Sequence, residues 1–139
     1  MNYLKAFIAG FLATIAFHQG LLGLLHLVGA SPIAPFNITA TPPLNVPQFI
    51  SLAFWGGIWG VPVWAIIARL DGAAHWIAAT VIGAVGPSAV AMLIVFPSKG
   101  IEVTSTLVVG ALLLNAAWGI GLALWMVILG ATRSSAAAE

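Results

Sequence analysis

The chain has 139 residues, of which 62% are hydrophobic and 5% charged, against about 25% charged in an ordinary soluble domain; so much apolar surface cannot be hidden from water, and the expected solvent is the lipid bilayer. There is no cysteine, which excludes disulfides, thiolate metal sites and cysteine nucleophiles. The formal net charge of +1 is too small for a nucleic-acid-binding surface.

Four apolar stretches, about 6–29, 49–68, 74–96 and 103–129, each reach the roughly 20 residues that a helix needs to cross a hydrocarbon core of about 30 Å. Backbone polar groups in lipid are satisfied only in helices or closed barrels, and the alternation of a barrel strand is missing. The expected fold is an all-α integral membrane protein, a single four-transmembrane-helix bundle over residues 1–133. The segment Ser134–Glu139 (SSAAAE) reads as an appended tail and is set aside.

The first stretch is longer than the roughly 7–15 apolar residues of a secretory signal, although Lys5 precedes it and Val28-Gly29-Ala30 has small residues suited to cleavage. Within it, His18 and Gln19 interrupt the apolar run. Ala30–Pro47 (ASPIAPFNITATPPLNVP) follows, uncharged and holding five of the eight prolines. Proline fixes φ and removes a donor, so a stiff, irregular strap is expected at the outer side. It is either a lid folded over the bundle, burying Phe36 with one or more of Ile33, Ile38 and Leu44, or a plain interfacial loop.

In the second helix Pro62 should bend the axis near Trp59, and the turn RLDGAAH leads tightly into the third, which is broken at Gly86-Pro87-Ser88. FPSKGIEV then leads to the fourth, which carries Asn115 and Trp118. Trp118-Gly119 in NAAWGIG matches Trp59-Gly60 in GGIWGVP, and Gly10 matches Gly83. These matches suggest two parallel two-helix repeats, with chance similarity as the rival reading. Small residues at four-residue spacing, such as Ala6/Gly10/Thr14, Ala16/Gly20, Gly56/Gly60, Ala79/Gly83 and Ala117/Gly121, let helices approach closely. They offer enough faces for a homo-oligomer as well. Lys5, Arg69 and Arg133 share one side and Lys99 the other, so the positive-inside rule gives both termini inside, in an inner membrane of bacterial type.

His18 is the one titratable side chain near a midplane. At 1.5 Å per residue, His18 and Gln19 lie about 18–20 Å into the first helix and Asn115 about 18 Å into the fourth. A polar layer of His18, Gln19, Ser88 and Asn115, edged by Trp59 and Trp118, is therefore the candidate ligand-binding site, with His18 or Gln19 expected in hydrogen-bond reach of Asn115. Desolvation there favours a neutral imidazole. The same residues also suit interhelical glue, worth about 0.6 kcal/mol on average in a membrane. Trp55, Trp64, Trp76 and Trp125 read as interface anchors.

No metal or cofactor is implied. His18 and His26 are about 80° and 12 Å apart on one helix, too far for one ion, and a haem would need His18 from two subunits. Ser88 with His18 as base lacks a carboxylate to orient the histidine, so no enzyme is expected. Two functions compete: binding or transport of a small neutral or apolar molecule (lipid, isoprenoid or quinone-like), and a non-catalytic accessory subunit of a larger membrane complex.

Overall fold

The computed structural model describes residues 2–42 and 44–131; Arg133 and the tail at 134–139 lie outside them. Four helices form the protein: α1 Asn2–Leu27, α2 Gln48–Ile67, α3 Gly72–Ser98 and α4 Ser105–Ile128. Each is long and apolar enough to cross a membrane. Their bounds lie within a few residues of those expected, the largest shift being that α1 takes in Asn2–Lys5.

Local chemistry sets the ends. Thr104 caps α4, its Oγ1 accepting from the Leu107 N–H at 3.2 Å. At the end of α1, Gly29 turns into the left-handed region at φ 74°, and the Ala30 N–H closes on the Leu25 carbonyl at 2.8 Å. Helix α2 begins after Pro47, which offers no side-chain cap. Its first donors are met by the strap instead: Gln48 N–H donates to Thr39 O at 3.0 Å and Phe49 N–H to Asn37 O at 3.1 Å. A short antiparallel pair, β1 Ala40–Thr41 with β2 Val46–Pro47, closes the strap.

Helix α1 packs on α2 and α4, and α3 packs on α4, while α2 and α3 touch only slightly. The interior is built from small residues: Ala6, Ala9, Ala13, Ala53, Ala79 and Ala123 are fully buried, around Trp118, Ile67, Leu122, Met126 and Val63. Large apolar side chains such as Leu4, Phe54, Trp55, Ile77, Val85, Leu93 and Leu113 are exposed on the outside.

Two helix crossings lean on glycine. A β-carbon on Gly10 would lie 3.1 Å from the Gly60 Cα, and one on Gly60 would lie 3.2 Å from the Ala6 carbonyl carbon. In the second hairpin, a β-carbon on Gly83 would lie 2.8 Å from the Gly119 Cα, and one on Gly119 would lie 3.0 Å from the Ala79 carbonyl carbon. Ala6, Gly10 and Gly60 thus make the same crossing as Ala79, Gly83 and Gly119. Trp118 of α4 reaches α1, donating to Gly10 O at 2.9 Å, and Trp59 of α2 lies against Gly86 of α3.

The first crossing has a further consequence for shape. Gly10 meets Gly56, so eight residues outward along each helix, about 12 Å, His18 comes level with Gln48, where α2 starts. Helix α1 runs on for nine more residues, Gln19–Leu27. The outer corner above α2 is therefore filled by the strap, not by helix.

At the other end Lys5 Nζ donates to Leu129 O at 2.7 Å, putting a cation on the exposed carbonyls that end α4. Lys5→Met should lower stability by about 0.5–1.5 kcal/mol. A detergent-unfolding titration measures this; an unchanged midpoint would mean that water serves Leu129 equally well.

Candidate functional site

The first helix is not uniform where His18 sits. Thr14–His18 is a π-helical turn, with Gln19 N–H donating to Thr14 O. One turn earlier, the Gly10 carbonyl accepts from Thr14 Oγ1 at 3.1 Å and from Trp118 Nε1 at 2.9 Å. Side-chain donors inserted into the ladder of helix hydrogen bonds bend or widen a helix. A second π turn, Ala91–Val95, follows Pro87 in α3, where proline cannot supply an N–H to the preceding turn. Single π turns inside α-helices recur at functional sites.

His18 closes the first π turn, and its Nδ1 is buried with no hydrogen-bond partner. Leaving such a group unmet costs about 1–3 kcal/mol. Gln19, 2% exposed, turns to the strap: its Oε1 accepts from the Phe36 N–H at 2.8 Å. Phe36 holds φ 54°, a left-handed conformation that costs a side-chain-bearing residue about 1–2 kcal/mol. Phe36 also meets Phe49 edge to face, with ring centroids 5.8 Å apart.

The strap does fold back onto the bundle. Pro35 lies over Gly23, His26 Nδ1 bonds Ser31 O at 3.0 Å, and Asn37 and Thr39 cap α2. Its apolar side chains are not buried, however. Phe36 is 45% exposed, Ile33 56%, Ile38 78% and Leu44 79%. The small-residue crossings already close the interior, so the strap lies on the surface of the bundle, with Phe36 against Phe49 and Ile33, Ile38 and Leu44 largely exposed.

The expected polar layer is divided. Helices α1 and α4 are neighbours, but neither His18 nor Gln19 bonds Asn115. Asn115 Nδ2 donates to Ser88 Oγ at 2.9 Å, joining α4 to α3. Trp118 is committed to Gly10 O and Trp59 to the surface of Gly86. Ser88 and Asn115 form a matched donor and acceptor, so Asn115→Leu and Ser88→Ala should each cost about 0.6 kcal/mol. The double variant should cost little more than either single one, and a double-mutant cycle in detergent measures that coupling.

Two features went unforeseen at the other end. His75, 5% exposed, bonds Ile67 O through Nδ1 at 3.1 Å and tacks the start of α3 to the end of α2. Trp64, expected as an interface anchor, is buried edge-on against it at 6.1 Å. His75 Nε2 and Trp125 Nε1 are buried without partners. Among the described residues, no three His, Cys, Asp or Glu side chains come together to hold a metal ion. The described carboxylates, Asp71 and Glu102, are exposed between helices, so none orients His18 for acid–base work. No protein-family model, curated protein or solved structure matches the chain.

Proposed function

We propose that this is a four-span membrane protein that binds or carries a small neutral or apolar molecule, of lipid, isoprenoid or quinone type, at His18 and Gln19 beneath the strap. Insertion in lipid is supported by the distribution of side-chain size. Small residues fill the helix crossings and large apolar ones cover the outside, the arrangement expected where packing, not hydrophobicity, drives helices together. Lys5 and Arg69 lie at the end where α1 starts and α2 stops, and Lys99 lies at the other, which favours termini inside. The recurring crossings of Ala6/Gly10/Gly60 and Ala79/Gly83/Gly119 favour two parallel repeats.

One observation carries the ligand reading: the buried, unpartnered Nδ1 of His18. It sits in the π turn of α1, packed beside α4 and level with the first residue of α2, next to Gln19, which the strap meets. Non-helical backbone at membrane depth is tolerated where it is buried in protein or lines a cavity. A neutral imidazole offers one acceptor and one donor, suited to a hydroxyl or carbonyl on an apolar body. Among the described residues, no charged side chain bonds His18 or Gln19 to suit an ion.

Native mass spectrometry of the protein purified in mild detergent, followed by solvent extraction, tests the proposal. A retained small neutral molecule in near-stoichiometric amount is the expected result. A chain that carries none, and instead purifies in fixed ratio with another membrane protein, would transfer the weight to the accessory-subunit reading. The same spectra give the number of copies in any homo-oligomer.

A further inference from the structure

We infer that the bundle opens sideways at one seam, between α2 and α3, at the end where α2 starts and α3 stops, while α1 and α4 stay together as its spine. The inference rests on the membrane reading proposed above and is independent of a ligand at His18. The repeated crossings make the two seams between the hairpins comparable. Exchanging the hairpins carries α1 onto α3 and α2 onto α4, so the α1–α4 seam has its counterpart in α2–α3. The two are not closed alike. Along α1–α4, Trp118 Nε1 donates to Gly10 O at 2.9 Å, Lys5 Nζ donates to Leu129 O at 2.7 Å, and a β-carbon on Gly121 would press on Phe17 and Ala13. Trp59, the counterpart of Trp118, instead meets Gly86 by the edge of its ring, 3.2 Å from where a β-carbon would stand. The backbones of α2 and α3 touch only slightly.

Only one end of this seam is pinned. Beside the turn from α2 to α3, His75 Nδ1 donates to Ile67 O at 3.1 Å and its ring meets Trp64 edge to face. Toward the other end α3 passes Pro87 and then the π turn Ala91–Val95, both of them features at which helices bend. Beyond the bend, the backbone of residues 91–98 follows no other helix closely, and no residue of α4 from 105 to 117 is buried. Met92 is the one buried side chain of that arm, and methionine is an unbranched filler that repacks readily. In lipid no hydrophobic force holds helices together, so the quality of packing decides which seam yields first. Residues 48–62 of α2 and 84–98 of α3 include no titratable side chain, so parting them puts no charge into lipid. The open seam gives an apolar chain, not an ion, a way in from the bilayer.

Distances between spin labels on the full-length protein in proteoliposomes test this. The chain has no cysteine, so labels attach only where one is introduced. Three pairs use exposed positions: Trp55→Cys with Leu93→Cys across the outer end of the seam, Ile66→Cys with Ile77→Cys across its pinned end, and Ile8→Cys with Ile120→Cys across the spine. Pulsed electron paramagnetic resonance should show two populations for the first pair and one for each of the others. The longer population should lie about 5 Å beyond the shorter, enough to part helices from the roughly 8–10 Å of packed axes. Trp59→Ala, which removes the ring that meets Gly86, should raise the longer population. A single population at Trp55/Leu93, or equal broadening at all three pairs, would overturn the mobile seam. The membrane reading fails separately: labels at these positions relaxed by a water-soluble nickel complex rather than by oxygen would remove the bilayer, and the sideways entry with it.

Discussion

Gly10→Ala and Gly119→Ala should each destabilise the protein by about 1–2 kcal/mol, whereas Gly20→Ala and Gly110→Ala should be neutral or mildly stabilising. All four are helical glycines, and helix propensity alone predicts a gain of up to about 1 kcal/mol for each change. The difference is what a β-carbon meets. On Gly10 and Gly119 it runs into backbone, Gly60 Cα at 3.1 Å and Thr80 Cα at 3.2 Å, besides the Gly56 and Ala79 carbonyls. Backbone cannot rotate away as a side chain can, so the helices must part, and overpacking of this kind typically costs 1–3 kcal/mol. Parting them also stretches other bonds. At Gly10, the Trp118 Nε1 bond across to α4 sits within the same crossing. On Gly20 and Gly110 a β-carbon meets nothing within 4 Å. Unfolding titrations of the four variants in one detergent give the comparison. Equal effects across the set would mean that the crossings have slack and that the small-residue stripes do not hold the hairpins together.

Those stripes were visible in the sequence because their signal is simple: small residues at four-residue spacing within runs of membrane length. Ala6/Gly10, Gly56/Gly60 and Ala79/Gly83 lie at helix crossings, whereas Ala16/Gly20 does not: Ala16 is exposed and a β-carbon on Gly20 would meet nothing within 4 Å. The site was less legible for three physical reasons. Depth arithmetic treats helices as coextensive, yet α2 starts only level with His18, so a residue at mid-helix in α1 lies at the end of its neighbour. Depth also says nothing of azimuth, and Asn115 turns to Ser88 on α3 rather than toward His18. Finally, the π turn at Thr14–His18 lies just past a carbonyl, Gly10 O, that takes a donor from α4, Trp118 Nε1. Nothing local to TIAFH announces it. The strap's path was foreseen from its prolines, but its bond to Gln19 joins two residues seventeen apart through a backbone N–H, which leaves no mark in side-chain chemistry.

His18→Phe should cut retention of the co-purified molecule about tenfold while leaving the fold no less stable, and this pairing of effects separates a binding residue from a structural one. His18 Nδ1 is buried without a hydrogen-bond partner in the chain, so replacing the imidazole with an apolar ring removes a desolvated, unpaired nitrogen rather than a bond. Such a change is neutral or stabilising when the new side chain fits. The loss falls instead on the guest, which forfeits a hydrogen bond in a low-dielectric site; tenfold corresponds to about 1.4 kcal/mol, within the usual range for one such bond. Asn115→Leu makes the opposite pattern: it leaves the guest in place and loosens α3 from α4, because its amide is spent on Ser88. Gln19→Leu should weaken retention too, because it removes the second polar group of the proposed site and the acceptor that holds Phe36 N–H. Quantifying the extracted molecule per protein, beside an unfolding titration of each variant, reads both axes. A His18→Phe protein that keeps its molecule but melts earlier would make the imidazole a packing element and leave the strap covering no site.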